Sequence, residues 1–492
     1  MANSGIQGKF FSGLFWVLLL NLLVKPLWIF GIEVGVQNAV GAASYGFYFS
    51  IFNLAVIFNI LLDLGITNYN TRNIARHPQL LGKHLSHILS IKVLLLFVYV
   101  VATFTIGALL GYDSHQFYIL AFLCFNQFLN SLLLYLRSNY EGLLLFKWDS
   151  VLSVMDRVLM IVICGALLFY SSHGAVPFAI EWFVYAQTVA YLVTVVFAFV
   201  VLVRRVGVCR LRWHRPFALL MLRRSAPFAL LVLLMASYNR LDPILLSLLL
   251  PDGDTAAGVY ASAFRLLDAL TMIAYLVSVP LLPVYARLTH RYEPVVAGKE
   301  LGDVTRLSFS LLQVFAITAA VGLAFVASPL MQLLYVDHTA GSADVFAVVV
   351  FCIIPISLTY IFGTLLTAGG HLRQLNILAS VALTINVGAN VLLIPRYGAV
   401  GSAWASLAAQ SFMAVAQMIV AMRIYSMRPS ASYVLRFVLF IVAVVGSNMA
   451  CASLALPWLW QLAFAAVLSL LAAVLLRLID FRAMLSLLTK RG

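Results

Sequence analysis

Long apolar runs separated by short polar loops fill this chain from near its start to near its end. The runs cover residues 12–32, 43–66, 86–111, 115–136, 149–171, 177–203, 225–250, 257–286, 305–327, 343–367, 375–394, 398–422, 433–455 and 457–478. Each holds about 20 residues or more, enough for a helix to cross a hydrocarbon layer about 30 Å thick. The pattern predicts an all-α polytopic membrane protein with about 14 transmembrane helices. The loops carry a second pattern. The even-numbered loops are basic, with Arg72, Arg76 and Lys83 in the second and Arg137 and Lys147 in the fourth. Seven arginines lie between Arg204 and Arg224 in the sixth, and the tail ends in Arg482, Lys490 and Arg491. The odd-numbered loops hold Glu33, Asp113, Asp252, Asp254, Asp337 and Asp344 instead, with Arg396 the one clear basic exception. Lys/Arg excess marks the cytoplasmic side, so both termini are expected in the cytoplasm.

The two halves of the chain resemble each other. Tyr45, Phe49, Arg72 and Arg76 recur as Tyr260, Phe264, Arg287 and Arg291, all at an offset of 215 residues. A second match sets Gly142, Asp149 and Ser153 beside Gly369, Asn376 and Ser380. Six spans separate the copies, an even number, so the repeats run in the same direction. Parallel repeats of this kind imply two pseudo-symmetric six-helix lobes around a central cavity. The expected division is 1–213 for the first lobe, 214–428 for the second and 429–492 for two extra helices, which lack mid-span charge and are expected at the periphery.

Composition agrees with the pattern and narrows the chemistry. The 492 residues are 63% hydrophobic and only 10% charged, far from the balance of a soluble domain. The net charge of +14 needs no nucleic acid to explain it, because basic cytoplasmic loops supply it. Five scattered cysteines make no disulfide or metal framework. His84 and His87 share a helix face without a third ligand, and no phosphate-binding glycine loop is present. No metal, cofactor or catalytic residue is expected, and the chain does not read as an enzyme.

Charges inside the spans are the candidate chemistry. The basic candidates are Lys25, Arg157, Arg240 and Arg265. The acidic candidates are Asp63, Asp156, Asp242 and Asp268. A charge at the bilayer centre costs several kcal/mol unless it meets a partner or water, so such residues mark a transport path by default. Arg265 and Asp268 are three apart, share a face and are expected to pair, and Asp63 is expected to bond the adjacent basic loop. Asp156 is expected on a different face from Arg157. Arg240 and Asp242 are two apart, with Pro243 placed to break the helix between them. Lys25, Arg157 and Arg240 have no obvious partner on their own helix. Several cations at mid-depth suit an anion, and guanidinium suits phosphate. The carboxylates are candidates for ion pairing or ion coupling.

Several short stretches carry a resemblance. They are Tyr45-Gly46 with Leu62-Asp63-Leu64-Gly65-Ile66, Asn139-Tyr140-Glu141-Gly142, Gly258-Val259-Tyr260-Ala261-Ser262-Ala263, Ala368-Gly369-Gly370 and Ile394-Pro395-Arg396-Tyr397-Gly398-Ala399-Val400-Gly401. In this order and spacing the chain is similar to the Wzx-type polysaccharide and O-antigen flippases of the multidrug/oligosaccharidyl-lipid/polysaccharide (MOP) exporter superfamily, relatives of MurJ. The resemblance implies alternating access and a cargo of undecaprenyl-pyrophosphate-linked oligosaccharide, an O-antigen or exopolysaccharide unit, moved across the bacterial inner membrane. It implies a cationic cavity formed by Lys25, Arg157, Arg240 and Arg265. It also implies membrane lipids and polysaccharide polymerase or assembly proteins as partners. The alternatives are a drug/cation antiporter of the same superfamily and a membrane-embedded polysaccharide-assembly enzyme.

Overall fold

The computed structural model describes residues 23–479 apart from 77–78, 80, 144, 175, 207–214, 279–280, 290–293 and 455. Cys209 and the arginines at 210 and 212 of the sixth loop lie outside the described residues. The described residues form sixteen helices and no strand. In chain order they are α1 (Leu23–Leu62), α2 (Ile66–Arg76), α3 (Leu81–Leu109) and α4 (Ser114–Gly142). Next come α5 (Phe146–His173), α6 (Ile180–Val206), α7 (Arg215–Arg240), α8 (Asp242–Leu249) and α9 (Gly253–Ser278). The remainder are α10 (Leu281–Thr289), α11 (Pro294–Phe325), α12 (Ala327–Leu334), α13 (Thr339–Ala368), α14 (Leu372–Ile424), α15 (Ala431–Ala452) and α16 (Trp458–Leu475). Eleven are long and apolar enough to cross a membrane, or twelve when the bent pair α7–α8 counts as one span.

Two of these helices are folded back on themselves. In α1 the break is Gly41 (φ 80°, ψ 166°), and in α14 it is Gly398 (φ 56°, ψ −135°). Side chains with a Cβ avoid both conformations, so each reversal needs glycine. A straight helix would hold Trp28 and Tyr48 about 30 Å apart. Instead both meet the Phe183 ring, at 6.0 and 5.3 Å between centroids. Likewise Ser402 donates a hydrogen bond of 2.8 Å to Asn390, where a straight helix would separate them by about 18 Å. Gly41 falls in the gap between runs 12–32 and 43–66, and Gly398 is the first residue of the run that follows 375–394. Fourteen spans are reached only if each folded helix counts twice. The first limb of α1 runs further than expected, so Glu33 lies inside a helix and is buried rather than in an outer loop.

By packing, the chain divides into residues 1–258 and 259–492. The physical reason lies in the first unit. There α7 and α8 pack against α1, and the start of α9 meets α1 so closely that a Cβ at Gly46 would overlap the Asp254 carbonyl. Gln37 adds a hydrogen bond of 2.9 Å to the Gly258 carbonyl. A repeat boundary in sequence and a boundary in contacts are therefore different things here.

Each unit contains a short helix that follows a long span. In the first unit α2 packs on α4, and in the second α10 packs on α13. Asn70 in α2 and Tyr285 in α10 stand 215 positions apart, and both are fully buried. These elements correspond at the offset read from the sequence. In the second unit α15 and α16 pack on α11 through Phe437, Phe440 and Val444 against Val314, Ile317 and Val321. They are the least buried of the spans, which puts most of their surface against lipid.

Candidate functional site

Two cations expected from the sequence are brought together in the first unit. Lys25 lies 16 residues before the reversal at Gly41, and Arg157 lies 16 residues before the end of α5 at His173. At 1.5 Å per residue each sits about 24 Å from that end of its helix. The ends adjoin, because Gly35 packs against Leu168. The two side chains therefore share a depth, and Lys25 lies within electrostatic reach of Arg157, Arg137 and Asp156.

The surroundings of Arg157 hold it in place. Its guanidinium lies over the Trp28 ring, with Cζ 5.3 Å from the centroid, a cation–π geometry. Trp28 follows Lys25 by three residues on one helix face and stacks on Phe183. The guanidinium also reaches the Tyr191 hydroxyl, and its Nε stands 3.6 Å from Asp156 Oδ2. This corrects the expectation that adjacency in sequence turns Asp156 away: the long arginine side chain bends back across the 100° that separates neighbours on a helix. Lys25 forms no ion pair within 4.0 Å among the described residues. It is half-buried, and its neighbours include two arginines.

Arg137 belongs to this neighbourhood and was misplaced by the loop rule. It lies inside α4, where its guanidinium forks onto Asp149 with bonds of 2.7 and 3.2 Å. Glu141 lies within electrostatic reach of Arg137 and Asp149. The apolar run 115–136 stops one residue before Arg137, which made the arginine look like a topological charge.

Asp63 belongs to a different cluster. The expected bond to the basic loop is replaced by an ion pair of 2.9 Å with Lys92 in α3. Lys92 is fully buried and also donates to the Leu62 carbonyl at 2.9 Å and the Ser131 hydroxyl at 2.8 Å. Thr67 closes the other side of the Asp63 carboxylate through its backbone N–H and its hydroxyl. The sequence signal for this pair is a lone lysine inside an apolar run.

Arg240 and Asp242 flank a break in the membrane-crossing path. α7 ends at Arg240, α8 starts at Asp242 with Pro243 in its first turn, and the two helices meet at 49°. Each charge suits the helix end that it occupies, a cation at a C-terminus and an anion at an N-terminus. The proline break expected from the sequence explains how residues two apart serve two helices. Asp242 is fully buried and Arg240 half-buried. Arg265 and Asp268 lie on α9 in the second unit, three apart and half-buried.

The arrangement in the first unit can hold an anion. Lys25 supplies a compact charge, and Arg157 and Arg137 supply planar donors whose own carboxylates fix their direction.

Comparisons with known proteins bear on the family and the fold. The family model described as "Polysaccharide biosynthesis protein" matches residues 10–289. A search of curated protein sequences returns no significant match. Among solved structures the chain is similar to a lipid II flippase MurJ in an inward closed conformation, at 13% identity and a TM-score of 0.66. That alignment covers 95% of this chain and 99% of the other. It is also similar to an inward-facing multidrug resistance MATE family transporter of the MOP superfamily, at 13% identity and a TM-score of 0.61, covering 83% and 98%. A MOP superfamily transporter from Pyrococcus furiosus, described as having a binding pocket of reverse polarity, aligns at 15% identity and a TM-score of 0.55, covering 83% and 94%.

Proposed function

The chain belongs to the polysaccharide biosynthesis protein family, and from that premise we propose that it flips a polyprenyl-diphosphate-linked oligosaccharide from the inner to the outer leaflet. It is a multi-pass membrane protein with the fold of MOP superfamily transporters. The observation that carries the cargo reading is Lys25, a half-buried amine beside two arginines and without an ion pair among the described residues. A diphosphate between Lys25 and Arg157 would take up charge-assisted hydrogen bonds and relieve the repulsion between the cations.

In this reading Arg240 is a further candidate cation in the first unit and Arg265 a candidate in the second. Asp242 and Asp268 are the candidates for ion coupling, while Asp63 and Asp156 serve as ion-pair partners. The lobes 1–213 and 214–428 rock in alternating access, 429–492 is an addition, and both termini face the cytoplasm of a bacterial inner membrane. A drug/cation antiporter needs carboxylates open to a cation. Asp63, Asp149 and Asp156 each stand within 4.0 Å of a base instead.

The test is transport of undecaprenyl-diphosphate oligosaccharide by the full chain in proteoliposomes. Removing two charge-assisted contacts at about 1.5–3 kcal/mol each predicts a loss of at least about a hundredfold for Lys25→Ala with Arg157→Ala. Unchanged transport by a double variant that purifies as a folded monodisperse protein refutes the site.

A further inference from the structure

A second cluster in the first unit lies at the opposite end of α4 from Arg137, and the diphosphate site does not use it. Three residues of α4, His115, Tyr118 and Phe122, follow one another at spacings of three and four and so share a face. Two residues of α6, Glu181 and Tyr185, do the same on the facing helix. The helices meet in two polar rungs. His115 Nε2 is 3.0 Å from Glu181 Oε1, and the Tyr118 and Tyr185 hydroxyls are 2.7 Å apart. The rungs are about 4.5 to 6 Å apart along the helices, the dimension of one pyranose ring. Aromatic rings frame them. Phe47 stacks on His115 at 5.2 Å, and Phe122 meets Tyr118 at 5.2 Å and Tyr185 at 5.0 Å.

The cluster is open. The His115 side chain is 55% exposed and Tyr118 is 47% exposed. Aromatic residues are enriched at membrane boundaries, where their rings sit at the level of the headgroups. Here the polar tips are paired across two helices. Each pair presents a donor and an acceptor side by side, and a carboxylate stands among them. Paired donors and acceptors between aromatic faces are what a ring with hydroxyls on its rim and C–H groups on its faces requires.

We propose that His115, Tyr118, Phe122, Glu181 and Tyr185 form a sugar subsite that engages a pyranose of the glycan head on the outer side of the membrane. The proposal rests on the flippase reading for its cargo, but its test is separate. The full chain in nanodiscs is titrated with undecaprenyl diphosphate, bare or bearing one residue of N-acetylglucosamine, glucose or galactose. Wild type is expected to bind one glycosylated lipid about tenfold more tightly than the bare lipid, the worth of one or two added hydrogen bonds. Tyr118→Phe with Tyr185→Phe, and separately Glu181→Gln, should bring that ratio near one and leave the affinity for bare lipid unchanged. The rings and the helix contacts stay in place in these variants. Equal losses for bare and glycosylated lipid would make the cluster a lipid contact and overturn the proposal. So would a preference that survives the substitutions, or no preference in wild type for any of the three sugars. Lys25→Ala with Arg157→Ala should weaken all four lipids alike, so failure of the diphosphate site shows in the absolute affinities and failure of the sugar subsite in the ratio.

Discussion

Asp63→Asn and Lys92→Met remove opposite halves of one buried ion pair, and burial makes their costs unequal. The Lys92 side chain is 1% exposed, whereas Asp63 is 25% exposed just beyond the end of α1. After Lys92→Met the carboxylate keeps the Thr67 backbone N–H and hydroxyl and can reach the membrane boundary. Ser131 still donates to the Leu62 carbonyl, so the loss is about 1–3 kcal/mol. After Asp63→Asn the ammonium is left inside with neutral acceptors alone. An uncompensated buried charge costs about 3–5 kcal/mol. The ceiling is the work of holding that lysine neutral at pH 7, about 4.6 kcal/mol from its ordinary 10.4. The double variant removes both charges and should return to about the stability of Lys92→Met, so the coupling equals the whole cost of Asp63→Asn, about 3–5 kcal/mol. Unfolding midpoints of the full chain in detergent should rank wild type first, then Lys92→Met and the double variant together, then Asp63→Asn last. If Asp63→Asn is the milder change, or if the single losses simply add, the account of this pair is wrong.

Other substitutions test close packing and the anion site. Gly46→Ala places a Cβ on the Asp254 carbonyl and the Gly258 amide, so folded yield by size exclusion should fall, while Gly31→Ala, with open space around it, should not change it. Gly398→Ala forces a side chain into a conformation with φ 56° and ψ −135°, and should lower the unfolding midpoint where Gly388→Ala does not. Trp28→Leu removes the ring beneath Arg157, worth about 0.5–2 kcal/mol, so binding of bare undecaprenyl diphosphate should weaken about 2- to 30-fold, with Trp28→Phe in between. Equal affinity in Trp28→Leu would show that the ring does not orient the guanidinium.

Hydropathy and charge alternation made the fold class legible because both are imposed locally, by the thickness and sidedness of a bilayer. The break at Asp242-Pro243 was legible for the same reason, since proline acts on its own turn. The partners of the charges were not. Lys92 finds Asp63 across 29 residues, and Arg157 lies over Trp28 across 129, distances that no periodicity encodes. Arg137 shows a further limit. A rule that explains most arginines near span ends as topological hides the one that turns inward to a carboxylate. Glu33 failed in a related way, because a polar residue after an apolar run looks like a loop when the helix in fact continues to Gly41. The depth of Lys25 and Arg157 within their spans was legible, and the structure brings the two within electrostatic reach of each other.

The turn at Gly41 also governs how α1 can enter a membrane. Its two limbs have no loop between them for a translocation channel to hold outside while the first limb settles. The first limb carries Lys25, and a lone lysine at the centre of a span costs about 2.5–3.5 kcal/mol to insert. The second limb is apolar up to Leu62, where the chain meets the buried pair of Asp63 and Lys92. The limbs must therefore leave the channel as one hairpin, the unfavourable charge carried in by its partner. An epitope inserted at Gly41 would therefore report on failed insertion rather than on topology.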